Sequence, residues 1–260
     1  MSVAIIIPCR FGSSRFPGKP LARIAGRSMI ERVWRIANAI RGVDSVFIAT
    51  DDQRIAEHAT SFGGLVAMTS PDCRNGTERC FEVAKAQSIK PSIVLNLQGD
   101  AVLTPPHVLD ALVAVMTQPK APLLATPAVR LGKAQHQQIL EARGSAAGGT
   151  FVTFNLNKQA LYFSKSSIPF LRRADADSHP VYRHIGLYAY QYAVLEQLVK
   201  LPPTPLEEAE QLEQLRALEH GIPIQIVPVE YGGRSHWSVD KPEDVAIAEK
   251  IIASEGELVP

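Results

Sequence analysis

Cysteine is scarce in this 260-residue chain, where Cys9, Cys73 and Cys80 are the whole complement. An odd number without zinc-ligand spacing favours reduced thiols over a disulfide framework, and with them the cytoplasm. An excess of either charge is missing as well, since 27 Lys and Arg face 26 Asp and Glu. That balance argues against a polybasic nucleic-acid surface and against an acidic tail, so local clusters must carry the electrostatics. No apolar run approaches the roughly 20 residues that span a bilayer. The first apolar run also arrives too early and is too short for a signal peptide, so a soluble protein is expected, with no membrane insertion. Internal repeats and low-complexity tracts are absent. What is present is an ordinary globular composition, 46% hydrophobic, sufficient for one large domain or two intimately packed halves.

The most informative stretch is the start. The apolar run Val3-Ala4-Ile5-Ile6-Ile7 breaks into Pro8-Cys9-Arg10-Phe11-Gly12-Ser13-Ser14-Arg15-Phe16-Pro17-Gly18-Lys19-Pro20-Leu21. A β-branched run bounded by turn residues reads as a buried strand, and open α/β sheets bind ligands where loops leave such strand ends. Arg10, Arg15 and Lys19, interleaved with glycine and serine, suit a polyphosphate. The stretch is not a P-loop, because Pro20 follows Lys19 where that motif has Ser or Thr. Backbone N–H groups around Gly12, Ser13 and Ser14 could meet phosphate oxygens, with Arg10 and Lys19 supplying charge where a pyrophosphate leaving group develops it.

To about residue 130, strands near 3–7, 45–49, 64–68 and 93–97 alternate with helices near 28–40, 52–61, 77–88 and 105–117. The alternation predicts a mostly parallel sheet covered on both faces. In the first helix Met29, Val33, Ile36, Ala37 and Ile40 are expected on the sheet, with Arg32, Arg35 and Asn38 outward. Thr104 reads as an N-cap before Pro105 and Pro106. Gly144 to Gly149 reads as a flexible break, followed by strand-like 150–156, 159–163 and 183–190, which suggests an antiparallel insertion. A continuous amphipathic helix is expected at 206–220 and a strand at 224–229. Asp240 then caps a last helix near 241–253, with Glu243 as its acidic capping partner.

Several groups could carry chemistry. Asp100, at a strand end after Gln98-Gly99, suits magnesium, because a hard cation bridging protein and phosphates needs only one or two carboxylates. Asp240 is the natural second ligand if the two approach in space, although as an N-cap it already has a complete structural explanation. Asn75-Gly76-Thr77-Glu78-Arg79 opens a helix, either as a simple cap or as a grip on a base or ribose. His184 and Tyr188 would share one side of a strand, and Glu213 and Gln214 lie on a helix face that is ordinarily solvated.

Taken together, these residues resemble the CMP-Kdo synthetase family, the 3-deoxy-manno-octulosonate cytidylyltransferases, nearly end to end. The resemblance rests on Ile7 to Leu21, Ala49-Thr50-Asp51-Asp52, Gly76-Thr77-Glu78-Arg79 and Asn96-Leu97-Gln98-Gly99-Asp100. It continues through Ala160-Leu161-Tyr162-Phe163-Ser164, Arg183 to Tyr188, Leu212-Glu213-Gln214-Leu215-Arg216 and Val239 to Asp244. It implies a Rossmann-like fold of the nucleotidyltransferase type A kind, with residues 1–130 binding CTP and residues 131–260 binding the acceptor and a second subunit, packed on one sheet as a single domain. It further implies a CTP site at Pro8, Arg10, Gly12, Ser13, Ser14, Arg15, Lys19, Asn75, Gly76, Thr77 and Gln98. Arg10, Lys19 and Asp100 are then catalytic, and Mg2+ sits on Asp100 and Asp240. The acceptor hydroxyl attacks the α-phosphorus and pyrophosphate leaves.

His184, Tyr188, Glu213 and Gln214 match positions that contact the sugar acid in that family, and a homodimer is implied. Three departures fall on the acceptor side. Ala101-Val102 replaces Glu-Pro, Lys165 stands where an arginine is expected, and Gly148 to Thr153 replaces a Val-Lys-Val-Val-like stretch. Lysine is a point charge and does not reproduce a bidentate clamp on a carboxylate. The resemblance makes Kdo the leading acceptor, the departures leave an amino-substituted Kdo or a phosphonate such as phosphonoformate as alternatives, and a non-catalytic nucleotide-binding relative is the reading of a different class.

Overall fold

The computed structural model describes residues 1–13, 15–86, 91–141, 149–172 and 179–259. Ser14, the end of the predicted third helix at 87–88, and the predicted break from 144 to 148 lie outside them. In chain order the elements are β1 (Val3–Cys9), a hairpin of β2 (Arg23–Ile24) and β3 (Arg27–Ser28), α1 (Met29–Asn38), β4 (Ser45–Thr50), α2 (Gln53–Ser61), β5 (Leu65–Met68), α3 (Gly76–Ala86), β6 (Ile93–Asn96), α4 (Pro106–Met116), β7 (Leu124–Arg130) and α5 (Lys133–Glu141). Then follow β8 (Thr150–Phe154), β9 (Ala160–Ser164), β10 (Tyr182–His184), β11 (Tyr188–Gln191), α6 (Tyr192–Lys200), α7 (Pro205–Glu210), α8 (Gln214–Glu219), β12 (Ile224–Val229) and α9 (Pro242–Glu255).

One sheet runs β5-β4-β1-β6-β11-β7-β10-β8-β9, with β12 on the other side of β7. Strands β5, β4, β1 and β6 are mutually parallel, as is the β7 and β12 pair. Strands β8 to β11 pair antiparallel and extend this same sheet. Every residue of β1 is buried, because helices cover both faces and alternate side chains enter different cores. Val3, Ile5, Ile7 and Cys9 pack with α1 and α4, whereas Ile6 packs with Cys80, Val83 and Ala84 of α3. The loops at the carboxyl ends of β1 and β6, and the start of α3, thereby meet at one rim.

Five local expectations are corrected. Arg32 does not face outward: it is buried, donates from Nε to the Ile24 carbonyl at 2.7 Å and pairs with Glu257 at 2.7 Å. The tail therefore supplies a counter-charge that helix periodicity cannot reveal. Thr104 is buried one position before the cap, and Pro105 occupies the N-cap with Pro106 opening the helix. The expected strand 183–190 is two strands, because Leu187 N–H folds back onto the Ile185 carbonyl at 2.7 Å. The expected helix 206–220 breaks at Gln211, whose φ of 54° is left-handed. Finally, α9 is capped by Asp244, whose Oδ2 accepts from the N–H groups of Asp240 and Lys241 at 2.8 Å each. Glu243 has no part in that cap, and the Asp240 carboxylate is left free to turn elsewhere.

Candidate active site

The first loop is held from behind. Phe11 accepts at its carbonyl from the N–H groups of Ser13 at 3.0 Å and Gly18 at 2.9 Å, and Arg54 stacks over its ring at 3.3 Å. A Cβ on Gly18 would lie 3.1 Å from that ring, and the residue has φ +70°, so both the close approach and the left-handed backbone call for glycine. Ser13 therefore commits its N–H within the loop, and Gly12 is exposed away from the cleft.

A cleft of about 580 Å3 opens over this rim. Of the sequence-selected residues, Pro8, Arg10, Ser13, Arg15, Lys19, Asn75, Gly76, Gln98, Asp100, Glu213 and Asp240 line it. Lys19 Nζ lies 2.8 Å from Asp100 Oδ2 and 3.4 Å from Asp240 Oδ1, and Arg15 lies 3.6 Å from Asp240. Two carboxylates separated by 140 positions in the chain thus meet at one amine. Gly99 makes this possible, because a Cβ there would fall 3.0 Å from Cys9 Sγ and 3.2 Å from the Pro8 carbonyl. Gln98 is oriented by donating to Asn96 at 3.1 Å, and Asn75 caps α3 by accepting from Glu78 N–H at 2.9 Å.

Among the described residues no group of three or more His, Cys, Asp or Glu could hold a metal ion. Two carboxylates form a hard-oxygen set that fits magnesium shared with substrate phosphates and does not fit a protein-only zinc site.

Beside the cleft lies a second cluster. His184 Nε2 bonds Thr126 Oγ1 at 2.8 Å, and its ring lies 5.0 Å from Phe163 and 5.5 Å from Tyr188. Burial, with the Lys165 and His236 charges adding to it, pushes the His184 imidazole down to about 3. Tyr188 donates to Gln214 Oε1 at 3.0 Å, and burial pushes its phenol up. Gln214 Nε2 is buried without a partner among the described residues. Glu213 accepts from Thr77 Oγ1 at 3.1 Å, and burial raises its carboxyl. The break at Gln211 therefore turns Glu213 and Gln214 inward instead of onto a solvated face. Lys165 Nζ donates to Thr150 Oγ1 at 3.1 Å and its N–H to Glu210 at 2.8 Å. Burial lowers its amine, opposed by Asp240 and Glu210.

Of these acceptor-side residues Glu213 lines the cleft itself, whereas Lys165, His184, Tyr188 and Gln214 do not. Sequence reasoning missed Arg79, which is buried at the cleft floor and ties Asp51 at 3.0 Å to Thr69 across the ends of β4 and β5. It also missed Glu210, which holds the Lys165 backbone. Arg79 lies within a quoted motif, so the signal was at hand, whereas nothing local marks Glu210.

Parallel strands delivering a cationic loop and paired carboxylates to one rim define a nucleotide-binding α/β enzyme of the nucleotidyltransferase class. The cytidylyltransferase family model matches residues 4–226. The chain is 54% identical over the full length of both chains to the 3-deoxy-manno-octulosonate cytidylyltransferase of Maricaulis maris (strain MCS10). It is 40% identical, over 98% of this chain and all of the relative, to the 8-amino-3,8-dideoxy-manno-octulosonate cytidylyltransferase of Shewanella sp. (strain W3-18-1). Among solved structures, a CMP:2-keto-3-deoxy-manno-octonic acid synthetase complexed with CTP superposes with a TM-score of 0.86 at 35% identity, covering 98% of this chain and 100% of that one. The chain belongs to the cytidylyltransferase family and is a CTP-dependent nucleotidyltransferase. This removes the non-catalytic reading. No helix among the described residues is long and apolar enough to cross a membrane.

Proposed function

We propose that the chain transfers CMP from CTP to a hydroxyl of 3-deoxy-manno-octulosonate, releasing pyrophosphate. The observation that carries this reading is the convergence of Lys19, Asp100 and Asp240 in the cleft next to the buried His184, Tyr188 and Gln214 cluster. The relatives described above, named for octulosonate acceptors, support Kdo over a phosphonate, and the higher identity lies with the Kdo enzyme. Residues 1–130 take the nucleotide part and residues 131–260 the acceptor and subunit contacts, although Glu213 and Asp240 reach back into the nucleotide cleft.

The chemistry needs positioning and charge neutralisation more than covalent help. Arg10, Arg15 and Lys19 offset the charge that grows on departing pyrophosphate, while Asn75, Gly76, Thr77 and Gln98 hold the nucleoside end. The acceptor hydroxyl forms the new bond to the α-phosphorus as the bond to pyrophosphate breaks. Lys165 meets the acceptor carboxylate, and Gln214 Nε2, buried and unpartnered among the described residues, is a ready donor to a sugar hydroxyl. Asp100 and Asp240 would hold Mg2+, which supplies charge stabilisation to the phosphates when bound. Three free thiols and the use of CTP fit the cytoplasm, and the family resemblance carries a homodimer, which sedimentation would test. Pyrophosphate release from CTP and magnesium is expected with Kdo and not with phosphonoformate. No release with any acid, while CTP still binds, would overturn the assignment.

A further inference from the structure

Strand β10 presents two neighbours to opposite faces of the sheet. His184 joins the acceptor cluster, and Arg183, in register with Val129 of β7 and Phe151 of β8, faces the other way. On that far side lies a cavity of about 930 Å3, larger than the nucleotide cleft and sharing no lining residue with it. Its wall carries Arg130, Lys133, Arg183 and Arg234 against a single carboxylate, Glu230, among the described lining residues. Arg130 and Arg234 are spent on backbone carbonyls, those of His179 at 3.2 Å and Gly256 at 3.0 Å.

Arg183 is different. Gly149 presses against it so closely that a Cβ there would lie 2.7 Å from Nε, and among the described residues its electrostatic surroundings include the Tyr231 phenol but no carboxylate. Among the described residues its Nε is shut off from water without a hydrogen-bond partner, as are Trp237 Nε1 and His236 Nδ1 on the same wall. Arginine and indole nitrogens can only donate. What completes them must accept, and the cation excess makes an anion the favoured acceptor. Ile139, Ile185 and Trp237 supply apolar and planar surface beside these donors.

We propose that this cavity binds a small organic anion, with its carboxylate or phosphate on Arg183 and its apolar or planar body against Trp237. The site is separate from the transfer chemistry and does not depend on which acid the enzyme uses. Phenyl phosphate and benzoate are suitable probes, titrated calorimetrically into the full chain with CTP at saturation so that the nucleotide cleft is filled. One saturable site per chain is expected. In a Trp34→Phe background, where Trp237 is the remaining tryptophan, the same probe added without nucleotide should change the indole emission. Arg183→Gln should weaken binding at least tenfold and Arg183→Lys less, with turnover at saturating substrates within twofold of the parent. Trp237→Phe, which keeps the ring shape and removes the donor, should weaken binding severalfold and serves if Arg183→Gln fails to fold. Absence of saturable binding, displacement of the probe by CTP, or unchanged affinity in Arg183→Gln would overturn the proposal. So would a change in sedimenting mass in that variant without any change in probe affinity, because the partner of Arg183 would then be a carboxylate of a second copy.

Discussion

Asp100→Asn tests the centre of the site with almost no change in shape. The Asp100 side chain is 30% exposed and pairs with Lys19 Nζ at 2.8 Å. Lys19 keeps Asp240 at 3.4 Å when that charge is removed. A partly solvated pair of this kind contributes about 0–1 kcal/mol to folding, which corresponds to a melting shift of roughly 2–4 °C at most for a domain of this size. The effect on catalysis should be far larger. An amide supplies no negative charge to a cation shared with the phosphates, and losing one pre-placed electrostatic contact of this kind costs about 3–4 kcal/mol in the transition state. Turnover should therefore fall on the order of 10²–10³-fold, and the magnesium concentration for half-maximal rate should rise. Coupled pyrophosphate release measured against a melting curve separates the two effects. Activity within tenfold of the parent, or a rate loss matched by unfolding, would refute the reasoning.

Three other outcomes are expected. Lys165→Ala removes a charge-assisted contact, with such bonds worth about 1.5–3 kcal/mol, so KM for the acceptor should rise roughly 10–100-fold while KM for CTP stays within about twofold; an equal rise in both would contradict the assignment. His184 is held neutral down to about 3, whereas in the unfolded chain it titrates near its ordinary value of about 6.5. The unfolded state thus binds the extra proton between these values, and native stability falls as pH drops from 6.5 toward 3, by on the order of 2 kcal/mol at pH 5. His184→Gln should shallow that acid slope in denaturant titrations, and an unchanged slope would refute the account. Gly99→Ala places a methyl 3.0 Å from Cys9 Sγ and 3.2 Å from the Pro8 carbonyl, so overpacking should cost about 1–3 kcal/mol and lower Tm by several degrees.

The elements most legible in the sequence are those with a strong period. The β1 run and the alternation through α4 emerge close to their expected bounds, because helices on both faces demand continuous apolar strands. The errors lie in contacts and backbone turns that hydrophobic periodicity does not report. Arg32 is inward because Glu257 meets it. Asp240 is free because Asp244 takes over the cap. Glu213 and Gln214 turn inward because Gln211 breaks the helix in a left-handed conformation that no hydrophobic pattern announces.

The loop from Pro8 to Leu21, with its cations and its glycines, and the strand-end position of Asp100 were set by sequence alone, since local sterics and β-branching decide where such a strand stops. Only the tertiary structure brought Asp240 across 140 positions to the same lysine, placed Lys165 between Thr150 and Glu210, and buried His184 beside Tyr188. It alone also set Arg183 on the far face with no carboxylate partner among the described residues. Periodicity reports which residues seek the core, whereas electrostatic pairing depends on distances that exist only after the strands have assembled.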